Sequence, residues 1–155
     1  DPDVLRAEFA GWDPRISELL SHVTQTFRWA LYDREPLPVW TKGRLTLLGD
    51  AAHPMLPHLG QGANQSIEDG MALATILAQS GLNTANAALN VYERLRRERV
   101  AAVQRGAREN GMRYDSVYAD LARRDAEITA HAEFRKRLYD HDVVPEAKAA
   151  AMSFA

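Results

Sequence analysis

The chain has 155 residues, 19 Lys and Arg against 21 Asp and Glu, a formal net charge of −2 and no cysteine. That length fits about one domain, the balanced charge argues against a nucleic-acid partner, and the lack of cysteine excludes disulfides, thiolate nucleophiles and Cys-ligated metal sites. No apolar run approaches the roughly 18 residues that span a bilayer, and no signal peptide is visible, so we expect a cytoplasmic protein without a membrane partner. The first residue is Asp1 rather than Met, and we therefore expect a piece of a longer protein.

The first fifty residues predict one helix and two strands. An Asp-Pro helix-start signal and the apolar spacing after it predict a helix over about 14–23. The aromatic-rich segment 27–33 alternates apolar and polar residues at its start, which predicts a strand. Residues 44–48 are β-compatible and lead into a Gly-Asp pair, which predicts a short buried strand.

A long loop and a series of helices follow. Segment 50–64 contains prolines and glycines without a helical or strand period, and we expect an ordered loop there. The pattern then predicts a helix over 63–79, with Asn64 as its cap and an apolar arc wide enough for burial on two sides. Further helices are expected over two ranges, about 83–110 and 116–138. The tail from Val143 is interrupted by Pro145, and its order is left open.

The residues between the second strand and the long helix predict a ligand site. Asp50 follows a strand end, where open α/β sheets bind ligands, and its carboxylate can accept hydrogen bonds from hydroxyl groups. Gly60 and Gly62 permit a close backbone approach and lead into a helix N-terminus, whose N–H groups favour an anionic oxygen. Together these features favour a polyhydroxyl, partly anionic ligand, although each residue alone is more typical of an ordinary turn.

Other polar and aromatic residues can be explained by structural roles rather than by chemistry at a site. His53 and His58 are five positions apart, which is not a helical metal-ligand spacing, and we predict no metal site. We expect His53 to be a structural hydrogen-bonding residue, whereas His58 is open to two roles, acid–base contact with a substrate or polar packing. The arginines of segment 93–109, Arg96 among them, alternate with glutamates and are interpreted as a solvated helix face. Three aromatics are interpreted as core or domain-interface residues: Trp29, Tyr32 and Trp40. For Tyr32 a place in the lining of a ring pocket is left open.

Three segments together resemble a known family. They are Leu-Leu-Gly-Asp-Ala-Ala-His-Pro over 47–54, Gly-Gln-Gly-Ala-Asn over 60–64 and Ile-Glu-Asp over 67–69. The pattern resembles the second FAD-binding motif of class A flavoprotein monooxygenases, and within them the subgroup of salicylate hydroxylase and 6-hydroxynicotinate 3-monooxygenase. The resemblance implies an α/β, Rossmann-like FAD/NAD(P)-binding fold, represented here by a mainly helical C-terminal fragment with two or three strands. It implies three parts: 1–35 as the end of a substrate-binding domain, 36–82 as the second FAD-binding segment, and 83–155 as C-terminal helices and tail.

The resemblance also implies roles for individual residues. Asp50 matches the aspartate that binds the ribityl chain of FAD, and Pro57 matches a proline beside the isoalloxazine ring, near the substrate. The cofactor-binding segment expected to face the pyrimidine edge of the flavin comprises Gly60, Gln61, Gly62, Ala63 and Asn64. We expect catalytic roles for Pro57 and His58. Glu68 and Asp69 are interpreted as helix-dipole and packing residues.

The function implied by this resemblance is hydroxylation of an aromatic substrate by an FAD-dependent monooxygenase that uses NAD(P)H and O2. The sequence lacks the G-x-G-x-x-G fingerprint for the ADP part of FAD. We therefore expect the missing N-terminal FAD-binding half as a partner, and no activity from this fragment alone. A homodimer is left open. The alternatives are a non-catalytic helical interaction module derived from a flavoenzyme, or a flavin epoxidase, halogenase or reductase of the same fold.

Overall fold

The computed structural model describes residues 1–152, which form six α-helices and one two-stranded antiparallel sheet. The chain divides into two compact units, one over Asp1–Leu31 and one that begins at Tyr32. Within residues 1–152, no helix has the length and apolar character needed to cross a membrane. The mainly helical architecture with few strands is the one that the sequence predicts.

The first unit consists of two short helices, α1 (Pro2–Glu8) and α2 (Pro14–Ser21). Each begins with an aspartate cap followed by proline. The aspartate side chain accepts a hydrogen bond from a free backbone N–H group, and the proline ring pre-sets the helical φ angle. The Arg6 side chain donates to the carbonyls of Leu20 and Val23, and so ties α1 to the end of α2. The helix predicted in this segment is confirmed.

The predicted strand over 27–33 is wrong for the described residues. A strand needs a neighbouring backbone to pair with its N–H and C=O groups, and the two strands within residues 1–152 pair with each other. Trp29 and Tyr32 are 80% and 83% exposed, so neither is a core residue. Trp40 is 4% exposed and does lie in the core, as predicted.

A short β-hairpin opens the folded part of the second unit. Strand β1 (Thr41–Lys42) pairs with β2 (Leu45–Thr46) across Gly43, whose φ of +60° favours glycine. The predicted buried strand over 44–48 is therefore shorter than expected, because the facing strand offers two residues for pairing. It is also not buried, since Leu45 is exposed.

Four helices complete this unit: α3 (Gly62–Ala78), α4 (Ala85–Tyr114), α5 (Leu121–Tyr139) and α6 (Val143–Ala151). Short 3-10 turns lie at Gly49–Ala51, Pro57–Leu59 and Leu82–Thr84. The core contains residues of α3, α4 and α6, including Ile76, Tyr92, Val100 and Ala147. Full burial of an aliphatic side chain such as Ile76 or Val100 stabilises the fold by about 1.5–3 kcal/mol.

The ends of two helices differ from the predictions. Helix α3 begins after Gln61, which is its N-cap without a side-chain bond, so Asn64 lies inside the first turn and is not the cap. Residues Val143–Ala151 of the tail form α6, where the Asp142 carboxylate accepts a hydrogen bond from the Val144 N–H at 3.0 Å, and residues 153–155 lie outside the described part of the chain. Pro145 fits the first turn of α6, because N–H groups there have no partner within the helix.

Helix α3 is buried on one side. Ala72 and Ile76 are fully buried, whereas Ile67 and Met71 are 66% and 48% exposed. The prediction that α3 is buried on two sides is therefore wrong for the described part of the chain.

Candidate functional site

The loop before α3 is held on its buried side by one carboxylate. Asp69 Oδ2 accepts a hydrogen bond from the Gly49 N–H at 3.0 Å and lies 2.5 Å from His53 Nε2. Because an ionised carboxylate can only accept, the histidine ring donates from Nε2. Asp69 and His53 are both fully buried, so the predicted structural role of His53 is confirmed.

Helix α4 holds the same loop at two further points. Gln104 Nε2 donates to the Pro54 carbonyl at 2.9 Å, and Asn110 Nδ2 donates to the His58 carbonyl at 2.7 Å. The His58 ring packs over Gly111, where an added Cβ would lie 2.5 Å from His58 Cδ2. Of the two roles considered for His58, polar packing is the one visible in these contacts.

A buried arginine connects α3 and α4. Arg96 is fully buried, and its Nε donates to Asp69 Oδ1 at 2.8 Å while Nη1 donates to Glu68 Oε2 at 2.7 Å. Its Nη2 donates to Gln65 Oε1 at 2.9 Å. The interpretation of the α4 arginines as a solvated face is therefore wrong for Arg96. Glu68 and Asp69 are ion-pair partners rather than helix-dipole residues.

The electrostatics of this cluster favour the ionised carboxylates. Burial raises the pKa of Asp69, but hydrogen bonds from His53, Arg96 and the Gly49 N–H outweigh it and hold the pKa below its usual value. Burial likewise raises the pKa of Glu68, and the guanidinium groups of Arg99 and Arg96 outweigh it. The cluster therefore holds charge inside the fold, balanced by cations.

Most of the predicted binding residues lie on the exposed side of the loop and of the first turn of α3, which we call the outer side, whereas Gln61 is buried and Gly62 half-buried. Asp50 and Pro57 are exposed, as are Ala63 and Asn64 in the first turn of α3. Gly60 is exposed and has a φ of +63°, a left-handed conformation that favours glycine.

Helix α3 also begins with donors free of a side-chain cap. Its N-cap, Gln61, is 3% exposed and makes no side-chain capping bond. The first N–H groups of an α-helix have no partner within the helix. Gly49 lies against this end of α3, because an added Cβ would be 2.8 Å from Ser66 Oγ. The Gly49–Asp50 segment and the first turns of α3 are thus neighbours.

This arrangement fits a ligand with hydroxyl groups and an anionic edge. The exposed Asp50 carboxylate can accept from hydroxyls, and the N-terminus of α3 can donate to a negative oxygen. Within residues 1–152, no group of three or more His, Cys, Asp or Glu side chains could hold a metal ion.

Sequence analysis missed the residues of α4 that hold the loop. Arg96 lies four positions after Tyr92 and four before Val100, on the stripe that faces the core. An arginine within an apolar stripe is the signal that could have found it. Gln104 and Asn110 carry no comparable signal, because amides are common on exposed helix faces.

Comparison with known proteins gives independent matches. The model of a family described as FAD binding domain matches residues 16–107. Over 106 residues the chain is 46% identical to 6-hydroxynicotinate 3-monooxygenase from Bordetella bronchiseptica, covering 68% of this chain and 28% of that protein. The chain therefore spans less than a third of the length of this curated relative.

Two solved structures are also similar. A salicylate hydroxylase substrate complex aligns with a TM-score of 0.78 and 35% identity, covering 96% of this chain and 37% of that one. The crystal structure of CtdE in complex with FAD aligns with a TM-score of 0.71 and 28% identity, covering 99% of this chain and 36% of that one.

Proposed function

The chain belongs to the FAD binding domain family, and from this premise we propose that it forms the flavin-ring side of an FAD-dependent monooxygenase that hydroxylates an aromatic substrate. The observation that carries the proposal is the outer side of the loop. There an exposed Asp50 and a left-handed Gly60 precede a helix whose N-terminus has no side-chain cap. The similarity to a 6-hydroxynicotinate 3-monooxygenase and to a salicylate hydroxylase supports the same conclusion.

The residues of this chain would hold the cofactor by two kinds of contact. The Asp50 carboxylate would accept hydrogen bonds from the ribityl hydroxyls, and segment 60–64 would face the pyrimidine edge of the flavin. The donors there would be the N–H groups after Gly60, because the Gly60 N–H already donates to the Pro57 carbonyl at 2.9 Å. These donors are fixed at the positive end of α3, so they stabilise negative charge on that edge without reorganisation. Bound FAD would supply the redox chemistry with NAD(P)H and O2.

Pro57 and His58 are the proposed substrate-side residues. Pro57 is exposed at the start of a 3-10 turn, so its rigid ring is accessible to a ligand on the outer side of the loop. His58 is half-buried against α4, and its ring edge packs on Tyr114 with 5.7 Å between centroids. These contacts fix the ring orientation that a proton transfer to or from a substrate would require.

We propose that the rest of the FAD site belongs to further polypeptide. The sequence contains no G-x-G-x-x-G segment. The exposed Ile67 and Met71 on α3 form an apolar face of the kind that a partner or further domain covers. An N-terminal FAD-binding half is our proposed occupant of that face. Residues 1–35 then end a substrate-binding domain, 36–82 form the second FAD-binding segment, and 83–155 form the C-terminal helices and tail.

The test is FAD binding by the intact polypeptide that carries this chain. We expect visible flavin absorbance after purification, and Asp50→Ala should lower FAD affinity about 10- to 100-fold, because a hydrogen bond to a charged group contributes about 1.5–3 kcal/mol. Asp115→Asn is the matched control, since Asp115 is exposed at the end of α4. Absence of bound flavin, or equal affinity in Asp50→Ala, would overturn the proposal.

A second measurement separates hydroxylation from other flavin reactions. Small hydroxylated aromatic acids, salicylate for example, should stimulate NAD(P)H oxidation and gain one oxygen atom from labelled O2. Flavin binding without oxygen transfer to any aromatic compound would favour a reductase, and oxygen transfer to an alkene would favour an epoxidase.

A further inference from the structure

We propose that Asp69, which does not reach the ligand, is the positioning residue of this site and acts through Asp50. Its carboxylate fixes both ends of the five-residue segment 49–53 that carries Asp50. The inference concerns how the site is held and rests on the proposed function for its effect on FAD.

The geometry places one oxygen atom at both ends of the segment. Asp69 Oδ2 bonds the Gly49 N–H and the His53 ring, which are four positions apart in the chain. Between them the backbone closes on itself, since the Gly49 carbonyl accepts from the Ala52 N–H at 2.9 Å and the His53 N–H at 2.8 Å. Asp50 is thus carried by a turn whose ends have a common anchor, and the turn leaves its side chain exposed.

The anchor itself is fixed by charge. Asp69 Oδ1 accepts from Arg96 Nε, and Arg96 is in turn bonded to Glu68 and to Gln65 of α3. Both carboxylate oxygens of Asp69 are therefore engaged, with a cation on one side and two loop donors on the other. An amide of the same shape offers one acceptor oxygen, and its NH2 group would face either Arg96 or the loop donors.

Burial separates the role of Asp69 from direct contact. Asp69 is fully buried, whereas Asp50 is exposed, so a ligand on the outer side of the loop touches Asp50 and not Asp69. An effect of Asp69 on FAD must then pass through the segment that it holds. Residues that act through one another show non-additive effects in a double-mutant cycle.

The first experiment measures the anchor without flavin. Hydrogen exchange of the Gly49, Ala52 and His53 amides is compared in the unaltered chain, in Asp69→Asn and in Asp115→Asn. We expect Asp69→Asn to reduce protection of these amides about tenfold or more, and Asp115→Asn to leave it unchanged. Unchanged protection in a folded Asp69→Asn protein would overturn the positioning role, whatever the protein binds.

The second experiment measures FAD affinity in the intact polypeptide, with Asp69→Asn made in the presence and absence of Asp50→Ala. With Asp50 present, Asp69→Asn should weaken FAD binding about tenfold; with Asp50→Ala, the further loss should stay within about twofold. Equal losses in both backgrounds would mean general destabilisation and would overturn the inference. If the unaltered protein binds no FAD, the proposed function fails, while the exchange experiment still decides the positioning role.

His53→Leu provides the test if Asp69→Asn does not fold. It removes one loop donor and leaves the Asp69–Arg96 pair in place. His53→Gln keeps an N–H donor at that position and should restore protection and FAD affinity. Equal exchange and affinity in His53→Leu and in the unaltered protein would overturn the inference.

Discussion

The inner and outer sides of the loop over 49–61 differ in burial and in bonding. On the inner side, Asp69, Gln104 and Asn110 bond the loop, and all three are buried. On the outer side, Asp50 and Gly60 are exposed. The loop is therefore fixed by residues that a ligand cannot touch, which leaves the outer groups free to bind one.

This difference predicts two classes of variant. Changes on the inner side remove partners from buried polar groups, which is costly because no water replaces them. Changes on the outer side expose nothing new, so stability should hardly change while ligand affinity does.

Arg96→Met should have the largest effect. It leaves the buried Asp69 carboxylate without its cation, and breaking such a buried pair lowers the free energy of unfolding by about 3–5 kcal/mol. Urea denaturation measures the loss. Arg94→Met is the control on the same helix, since Arg94 is exposed, and its effect should stay within about 0.5 kcal/mol. Similar midpoints and slopes for the two variants would contradict a structural role for Arg96.

Gly49→Ala should come next. Its φ of +59° costs a side chain about 1–2 kcal/mol, and the new Cβ would also lie 2.8 Å from Ser66 Oγ. Gly43→Ala is a matched control, because Gly43 has a φ of +60° with no neighbour within 4 Å of an added Cβ. We expect denaturant titration to show a larger loss of stability for Gly49→Ala than for Gly43→Ala. Equal losses would show that Ser66 can move away from the new Cβ at no cost.

Lowering the pH should reduce the free energy of unfolding by less than either of these substitutions, through the titratable groups on the inner side of the loop. The pKa of Asp69 and that of Glu68 are lowered in the fold, so their contribution is present above the ordinary values of 3.8 and 4.5 and is lost as pH falls through the lowered values. His141 Nε2 lies 3.8 Å from Glu68 Oε2, and burial and Arg99 lower the pKa of this histidine. Stability is therefore also lost as pH falls below its ordinary value of 6.5, where the unfolded chain binds the proton first.

Free energies of unfolding measured from pH 7 to pH 3 would follow both steps. Glu68→Gln should flatten the curve below about pH 4.5, because the Glu68 carboxylate no longer titrates. It should also deepen the loss near pH 6, because Glu68 lies 3.8 Å from His141 and raises the pKa of that histidine. A curve that keeps its acid slope in this variant would assign the slope to other carboxylates.

Asp50→Ala should have the smallest effect on stability, within about 0.5 kcal/mol, because Asp50 is exposed. Thermal unfolding without ligand measures it, and the same variant should lose FAD affinity. A large loss of stability would mean that Asp50 helps to hold the loop, and the two sides of the loop would then not differ in their effect on stability.

The sequence by itself predicted the elements whose signals are local. Apolar spacing and an Asp-Pro start are written in adjacent residues, so α2, α3 and α4 were predicted to within a few positions. The motif over 47–69 likewise placed the candidate site between a loop and a helix N-terminus, because the residue types that approach a ligand are contiguous there.

The tertiary structure alone decided what depends on residues distant in sequence. Arg96 is 27 positions from Asp69, and its alternation with glutamates resembles a solvated face until α3 is packed against it. The segment over 27–33 has strand-like residues but forms no strand among those described, because pairing needs a second backbone. Residues Val143–Ala151 of the tail form helix α6 and bury Val143 and Ala147, which a local pattern containing proline does not reveal. Local propensity and motif thus determined the helices and predicted where a ligand would bind, and burial of charge between helices decided what holds the loop in shape.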